Sequence, residues 1–497
     1  MIELNSANLG RLGPGVRVPA YDRAALRGGI VHFGVGNFHR IHQAYYVDSC
    51  LHQPGQEAWG IVGVGLLDGP SQRAKANAYK AQDCLYSITE FALDGTGQPR
   101  VIGAMIEYLH APADPEAVLV RLTSPDCKIV TLTITEGGYN IDEASGRFLL
   151  DTPDVEADLR GGPPKTAFGF IVEALARRRA AGLPAFTVAS CDNLRGSGDT
   201  IRKAILGFAE ARDPGLARWI ADNVDFPNSM VDRLAPQVPE EQRLALNAAS
   251  GIDDQLPVPT EAFTQWVVED RFRYGRPPLE TVGVEFRDNV AEWLAFKGRI
   301  INASHVYLSY PALLMGYRIV ADALTDPLLV RMVETYLDRD AKPNVQGPPG
   351  LSVEAYAAKF VPRFANPAIA DQLLRVAGDG AAKVPTFHGQ TLRMMLAAGG
   401  DLRREAFLIA CFGRYLAFAV NPDLQDDDGA HFEPFEPGLN GADWDKVRSH
   451  DPAAVLAIRA LEPFQLADQP KFRSLFDHYA AGLATNGAEA TLQDMLG

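Results

Sequence analysis

Short apolar runs alternate with segments of helical periodicity over residues 29–200. Residues 29–36 (GIVHFGVG) form an apolar run that ends in Gly-x-Gly, and residues 37–52 carry apolar side chains at helical spacing. Further strands are predicted in 59–69, 86–91, 128–140 and 184–194, with a helix in 165–182 that closes at Gly182. Strands that alternate with helices are typical of a mostly parallel, doubly wound sheet. The fold class predicted for this part is therefore a Rossmann-like α/β domain.

Helical periodicity dominates the rest of the chain, because strand-like runs largely disappear after residues 281–298. Helices are predicted in 305–324, 327–340, 352–365, 369–378, 404–420, 451–461 and 474–484. We place the boundary near residue 285. The sequence thus predicts a dinucleotide-binding domain at 1–285 and a mainly α-helical substrate domain at 286–497.

Composition and charge narrow the class of partner. With 497 residues, the chain exceeds the size of a single hydrophobic core, so two domains are expected. The formal net charge of -15 opposes binding to nucleic acid and to anionic membranes, which favours a small-molecule ligand. Five scattered cysteines without CxxC spacing, no leader-like start and no apolar run of about 18 residues favour a cytoplasmic protein. The sequence does not fix the oligomeric state, and a monomer is compatible with it.

The Gly34-x-Gly36 turn lies where a dinucleotide pyrophosphate meets a helix N-terminus in doubly wound folds. His39 replaces the third glycine of the usual fingerprint, and Arg40 adds a cation that suits a phosphate. Asp68 follows the second strand, where a carboxylate accepts hydrogen bonds from the adenosine ribose and favours NAD over NADP. The predicted cofactor-binding residues are Gly34, Gly36, Asn37, Phe38, His39, Arg40 and Asp68. Nearby Arg73 and Lys75 leave NADP open as an alternative.

A metal site is not predicted. His39 and His42 are three residues apart on a predicted helix, but no third ligand has the spacing of a metal site. Both histidines are better explained as structural side chains or as neighbours of the cofactor.

The segment 296–311 (FKGRIINASHVYLSYP) places Lys297, Asn302 and His305 in an otherwise apolar helix. At about 100° per residue from Lys297, His305 falls at about 80° and Asn302 at about 140°, so one arc holds all three. Pro311 is expected to end or kink the segment. Each residue alone has a structural explanation, but their convergence suggests a ligand. An amine among apolar neighbours has a lowered pKa and can act as a general base, while an amide can donate to a developing alkoxide.

The pattern Lys-x4-Asn-x2-His resembles the polyol-specific long-chain dehydrogenases, the mannitol dehydrogenase family. The resemblance also includes HFGVGNFHRIHQAYYVD, LTITEGGYN, SCDNL, NSMVDRLAP, RFANPAIADQ and DGAAKVPTF, and spans residues 29–390. It implies zinc-independent hydride transfer between a secondary alcohol and NAD, with the substrate between the two domains.

The resemblance also implies residue roles. Lys297 would be the general base, and Asn193 and Asn302 would hold the developing oxyanion. His305 would bind substrate hydroxyls. The residues expected to line the polyol pocket are Asp232, Arg375 and Lys383. Many family members carry a glutamate three residues before the lysine, where this chain has Leu294, so the route of the proton to solvent is left open.

Three functions are consistent with these residues. The first is interconversion of a polyol and its 2-ketose, with D-mannitol and D-fructose as the expected pair. The second is reduction of a hexuronate, in which Arg375 and Lys383 would hold the substrate carboxylate. The third is a dinucleotide-binding regulator without turnover, which the retained base and amides argue against.

Overall fold

A computed structural model describes residues 1–142, 146–449 and 451–497. The chain divides into two compact units, Met1–Ala291 and Glu292–Gly497. This division lies a few residues beyond position 285, where the sequence places the boundary. None of the helices in the described residues combines the length and hydropathy needed to cross a bilayer.

The N-terminal unit contains the strands and the first group of helices. Its strands are β1 (Ile2–Glu3), β2 (Ile30–Phe33), β3 (Ile61–Gly65), β4 (Tyr86–Phe91), β5 (Gly97–Ile102), β6 (Met105–His110), β7 (Ile129–Leu132), β8 (Thr187–Ser190), β9 (Ser229–Asp232), β10 (Ile252–Asp253), β11 (Val258–Glu261), β12 (Gln265–Val268) and β13 (Glu285–Phe286). Its helices are α1 (Asn37–Ile41), α2 (Gln43–Leu51), α3 (Pro70–Ala81), α4 (Pro115–Thr123), α5 (Pro153–Leu159), α6 (Ala167–Ala180), α7 (Ser197–Arg212), α8 (Pro214–Asn223) and α9 (Glu240–Ser250).

A five-stranded parallel sheet in the order β6-β3-β2-β7-β8 forms the centre of this unit. Its middle strands are buried on both faces, which explains why their sequences are continuous apolar runs. The chain leaves β2 towards β3 on one side and returns to β7 on the other. Ligands bind at the carboxyl ends of the strands at such a switch point. The predicted doubly wound fold is confirmed.

Several local predictions for this unit differ from the structure. The strand predicted over 128–140 covers only β7, and Glu136–Tyr139 is a 3-10 turn. The predicted strand 86–91 is β4, but it pairs with β11 and β5 in a separate sheet. A further small sheet, β13-β12-β9, was not predicted, because its short strands pair over long sequence separations.

The C-terminal unit is helical in its described residues. Helix α10 (Val290–Lys297) begins just before the division, and a π-helix follows at Gly298–Asn302. The later helices are α11 (Ala303–Leu314), α12 (Val320–Ala323), α13 (Pro327–Tyr336), α14 (Val353–Ala357), α15 (Phe360–Phe364), α16 (Leu373–Ala377), α17 (Gly380–Phe387), α18 (Gly389–Ala398), α19 (Arg403–Phe418), α20 (Gly441–Val447), α21 (Pro470–Thr485) and α22 (Gly487–Leu496).

Helices α11 and α19 form the core of the C-terminal unit. Tyr310 of α11 packs its ring against Phe412 and Tyr415 of α19, at centroid distances of 5.2 and 5.1 Å. Pro311 lies inside α11, which continues for one further turn to Leu314, so the helix does not end at the proline itself, and the expected kink stays a prediction. The helix predicted over 451–461 is wrong as well, since Pro452–Ala457 forms a 3-10 helix.

Candidate active site

A groove of about 1140 Å³ opens at the carboxyl ends of β2, β3 and β7. Gly34 turns the chain there with φ +89°, and a Cβ on it would lie 2.1 Å from the Thr133 carbonyl oxygen. Only glycine fits that position. A Cβ on Gly36 would meet only the Gly34 carbonyl oxygen, at 3.8 Å, so this glycine leaves open space beside the groove. The turn therefore fits the close approach of a pyrophosphate.

Asp68 lines the same groove beyond β3. Its carboxylate accepts two hydrogen bonds from Arg73 Nη1, at 2.8 and 3.1 Å, and lies 3.7 Å from His110. The Gly69 backbone N–H and then the Arg73 guanidinium hold the pKa of Asp68 below its usual value. Asp68 is thus an ionised, solvent-accessible acceptor, which fits recognition of ribose hydroxyls.

Besides Lys165, Lys75 is a cation that lines this groove. Its ammonium donates to the Val35 carbonyl oxygen in the turn, and burial lowers its pKa to about 8. The sequence had assigned the phosphate-binding cation to Arg40. In the structure, Arg40 is 5% exposed and donates to the Leu256 carbonyl oxygen and to Asn37 Oδ1.

Four of the predicted cofactor residues are therefore not lining residues of the groove: Asn37, Phe38, His39 and Arg40. Asn37 bridges to the Pro236 carbonyl oxygen, and Phe38 stacks on His42 at 5.0 Å. These side chains hold the helix that follows the turn. Their side chains contact protein groups in the described residues, and their role as cofactor ligands stays a prediction.

His39 is buried behind the turn and stacks on His32 at a centroid distance of 3.6 Å. Neither His39 ring nitrogen has a hydrogen-bond partner in the described residues, and burial holds its pKa well below the usual value. His32 is bonded to Thr131 and Thr133 and has its pKa lowered to about 3 by burial. No group of three or more potential metal ligands occurs within residues 1–142, 146–449 and 451–497.

Asp192 connects the loops after β7 and β8. Its carboxylate accepts hydrogen bonds from the Ile134 and Thr135 backbone N–H groups, at 2.9 and 3.2 Å, and from the Tyr139 hydroxyl at 2.6 Å. Thr135 has φ +64°, an uncommon value for a β-branched residue, and these bonds help to hold it. Asn193 follows directly and is exposed, so Asp192 anchors the loop that presents the predicted oxyanion donor. This role of Asp192 was missed from the sequence.

Asp232, a predicted substrate residue, is 6% exposed at the end of β9 and pairs with Gln265 of β12. The neighbouring Arg233 pairs with Glu90 and donates to the Glu261 carbonyl oxygen.

Lys297, Asn302 and His305 lie on one continuous helical segment that contains the π-helix Gly298–Asn302. Lys297 ends α10 and is 5% exposed. A π-helix closes its hydrogen bonds at i+5, so residues five apart, such as Lys297 and Asn302, approach the same face. A regular α-helix would spread them more widely. The structure therefore brings these polar groups into a narrower arc than the sequence predicts, and π-helices are frequent at functional sites.

Neighbouring helices hold this π-helix. Arg299 donates to Thr391 Oγ1 on α18 at 3.2 and 3.1 Å and to the Asn344 carbonyl oxygen. His388 Nε2 donates to the Ala303 carbonyl oxygen at 3.0 Å. Gly298 leaves room for Phe387, whose ring would lie 3.4 Å from a Cβ at that position. The irregular turn is thus built into the core of the unit.

His305 lies among aromatic rings beside an ion pair. The Phe364 ring centroid is 4.4 Å from that of His305, and Asp371 Oδ2 lies 3.7 Å from His305 Nε2. Burial lowers the pKa of His305 to about 3; the Asp371 carboxylate opposes this shift, and the nearby cations Arg375 and Lys383 add to it. The imidazole is therefore neutral at physiological pH. Its Nε2 has no hydrogen-bond partner in the described part of the chain, which leaves that atom for a ligand hydroxyl.

The two predicted cations of the pocket are already engaged. Arg375 forms a bidentate pair with Asp371, one helical turn earlier. Lys383 donates to the carbonyl oxygens of Arg375, Val376 and Gly378 at the end of α16. Lys383 thus stabilises the C-terminal end of α16 by donating to the carbonyl groups there.

Comparison with known proteins identifies the family. The profile described as the mannitol dehydrogenase Rossmann domain matches residues 28–281, and that of the mannitol dehydrogenase C-terminal domain matches residues 289–480. The chain belongs to the mannitol dehydrogenase family. The resemblance predicted from the sequence is thereby confirmed.

Relatives in the mannitol dehydrogenase family match nearly the whole chain. A polyol:NADP oxidoreductase of Gluconobacter oxydans is 48% identical over 455 residues, 91% of this chain and 92% of its own length. A mannitol 2-dehydrogenase of Phaeosphaeria nodorum is 39% identical over 495 residues, 99% of this chain and 85% of its own length.

Two crystallised proteins share the fold over their full length. A D-sorbitol dehydrogenase in substrate-free form has a TM-score of 0.89 at 44% identity, covering 99% of this chain and 100% of its own. The Pseudomonas fluorescens mannitol 2-dehydrogenase, in a ternary complex with NAD and D-mannitol, has a TM-score of 0.88 at 40% identity, covering 100% and 99%.

Proposed function

We propose that this protein is an NAD-dependent, metal-independent polyol 2-dehydrogenase that interconverts D-mannitol, or a related alditol, and its 2-ketose. The observation that carries the proposal is the match of both units to one family of polyol enzymes. The convergence of Lys297, Asn302 and His305 on one helical arc agrees with it. The names of relatives indicate polyols as the substrate class.

The groove of the N-terminal unit fits a nicotinamide dinucleotide. Gly34 and Gly36 leave room for its pyrophosphate, Lys75 supplies a cation beside it, and Asp68 accepts from the ribose hydroxyls. A nicotinamide held there would supply the acceptor for the hydride that leaves the substrate carbinol carbon.

Lys297 acts as the general base in the proposed oxidation. Its neutral amine removes the hydroxyl proton as the carbon–hydrogen bond breaks, which prevents a free alkoxide from accumulating. The amides of Asn302 and Asn193 donate to the oxygen on which negative charge develops. His305, being neutral, binds a further hydroxyl through Nε2. In reduction, the protonated Lys297 returns the proton to the carbonyl oxygen.

NADP is the alternative cofactor. The relative named polyol:NADP oxidoreductase raises this alternative, and exposed Arg73 next to Asp68 offers a cation for a 2′-phosphate. Because Asp68 already pairs with Arg73 and carries a negative charge in the groove, we favour NAD.

The test is an assay of the purified protein with NADH or NADPH and with D-fructose, D-fructuronate or other ketoses, following the loss of reduced nicotinamide. We expect fructose reduction with NADH, unchanged by EDTA. Faster reduction of fructuronate would favour a hexuronate reductase. NADH binding without turnover of any ketose or alditol would contradict the proposal and indicate a regulator.

A further inference from the structure

The ion pair between Asp371 and Arg375 lies beside His305 in the C-terminal unit. Asp371 Oδ1 accepts from Arg375 Nε at 2.9 Å and from Nη2 at 2.7 Å, and Oδ2 accepts from Nη2 at 2.6 Å. Asp371 is 5% exposed, whereas the Arg375 side chain is about half exposed. The same Oδ2 lies 3.7 Å from His305 Nε2. One carboxylate therefore contacts the arginine and also approaches the histidine.

In this geometry, Asp371 occupies the edge of the Arg375 guanidinium that would bind a carboxylate. A guanidinium binds a carboxylate most strongly through two parallel N–H donors, and Asp371 occupies the Nε and Nη2 edge. Nη1 donates to no protein group in the described residues, so it can still give single hydrogen bonds. Arg375 is thus equipped to donate to one hydroxyl oxygen, while its charge is balanced by Asp371.

Lys383 does not replace the occupied arginine fork. Its ammonium has three donors, and the three carbonyl oxygens at the end of α16 lie at 3.3, 3.0 and 2.5 Å from Nζ. The hexuronate alternative requires Arg375 and Lys383 to hold a substrate carboxylate. In this arrangement both cations have protein partners.

Hydroxyl groups and carboxylates interact differently with such a cluster. A hydroxyl both donates and accepts, so it can bond to the Asp371 carboxylate, to His305 Nε2 or to Arg375 Nη1. An ionised carboxylate only accepts, and Asp371 repels it.

We propose that Asp371 is a specificity-determining residue, which holds the carboxylate-binding edge of Arg375 and so makes the pocket accept neutral polyols and reject substrates with a carboxylate. This inference rests on the proposed function, and it assigns the basis of selectivity to one ion pair.

The test compares Asp371→Asn with the wild type for NADH-dependent reduction of D-fructose and D-fructuronate. Asparagine keeps the shape but removes the charge and leaves only one oxygen to accept from the guanidinium, so the bidentate pair is lost. We expect the ratio of kcat/KM for fructuronate over fructose to rise at least tenfold. The double variant Asp371→Asn/Arg375→Met should lose this gain, because the freed cation is its cause. Asp477→Asn is the matched control, since Asp477 pairs with Arg473 at the same spacing on the solvent-facing side of α21; its ratio should not change.

A measurement on the wild type avoids dependence on the folding of the variant. D-mannonate differs from D-mannitol by a terminal carboxylate, and we expect it to inhibit fructose reduction at least tenfold more weakly than mannitol does. Equal inhibition, or an unchanged substrate ratio in a folded Asp371→Asn, would overturn the role of Asp371 while fructose turnover upheld the proposed function. Absence of fructose turnover in the wild type would overturn both.

Discussion

At the residue scale, the cofactor groove pairs one carboxylate with one arginine. Asp68 offers acceptors for ribose hydroxyls, and Arg73, held at 2.8 Å from it, would suit a 2′-phosphate if the carboxylate were absent. In the proposed cofactor site, we therefore expect the balance between these two side chains to decide which cofactor is preferred.

We expect Asp68→Ser to lower kcat/KM for NAD about tenfold or more and to raise that for NADP, because the repulsion of a 2′-phosphate is lost and Arg73 is released. Steady-state polyol oxidation with each cofactor measures this. Asp94→Ser, which changes another exposed aspartate in a turn, is the control. An unchanged preference would show that Asp68 does not recognise the ribose.

The sequence could predict that Gly34, Gly36 and Asp68 lie beside one groove, because strand, turn and helix are contiguous there. It could not predict the partner of Arg40, whose carbonyl acceptor on Leu256 is 216 residues away. Sequence adjacency indicates which cations are near a turn. It does not indicate which of those cations form hydrogen bonds with distant parts of the chain.

At the element scale, the main unpredicted feature is the π-helix. Apolar periodicity predicts a helix over this segment, but it cannot predict one extra residue in a turn. That irregularity depends on Arg299 bonding to Thr391 and on the space that Gly298 leaves for Phe387, partners from distant helices. The order of Lys297, Asn302 and His305 along the helix could be predicted, whereas the narrower arc that they share because of the π-helix could not.

Helix α10 offers a test of the lysine's environment. Leu294 lies three residues before Lys297, on a neighbouring position of the same helix. We expect Leu294→Glu to raise the pKa of Lys297, because an opposite charge favours the protonated amine. Alcohol oxidation needs the neutral amine, so the acidic limb of its pH–rate profile should move to higher pH.

The matched control is Ala295→Glu, which adds the same charge to an exposed position of α10 that points about 200° away from Lys297. Its profile should resemble that of the wild type. If Leu294→Glu also leaves the profile unaltered, position 294 has no part in setting the protonation of the base.

At the scale of the whole molecule, the two-unit organisation and the class of each unit could be predicted from where strand-like runs stop. The small sheets β13-β12-β9 and β11-β4-β5 could not, since their strands are short and β11 pairs with β4 from a distant part of the sequence, Val258 opposite Ile88. The hydrogen-bond partners of buried polar side chains could not be predicted from the sequence either. His32, for example, is bonded inside the parallel sheet to Thr131 and Thr133 of the neighbouring strand and the loop after it.

Buried His32 makes stability depend on pH. Its pKa is about 3 in the folded protein and near 6.5 when unfolded, so below pH 6.5 the unfolded state takes up a proton that the folded state does not. Folding stability is therefore lost as the pH falls from 6.5 towards 3, by about 1.4 kcal/mol per pH unit from this group. When the pH falls from 7.5 to 5, the unfolding free energy of the wild type, measured by urea titration, should fall by about 2 kcal/mol more than that of His32→Gln. The control is exposed His478→Gln, and an equal loss in wild type and His32→Gln would exclude this contribution.

The most direct test of the proposed mechanism is single-turnover hydride transfer by Lys297→Ala, measured with NADH and fructose alongside NADH affinity by fluorescence. Removing the base should slow transfer about 10³-fold while the dissociation constant of NADH stays within about twofold of the wild type. Lys342→Ala, which removes a lysine paired with Asp338 on the same unit, should change neither quantity. Near-normal transfer by Lys297→Ala would contradict the account.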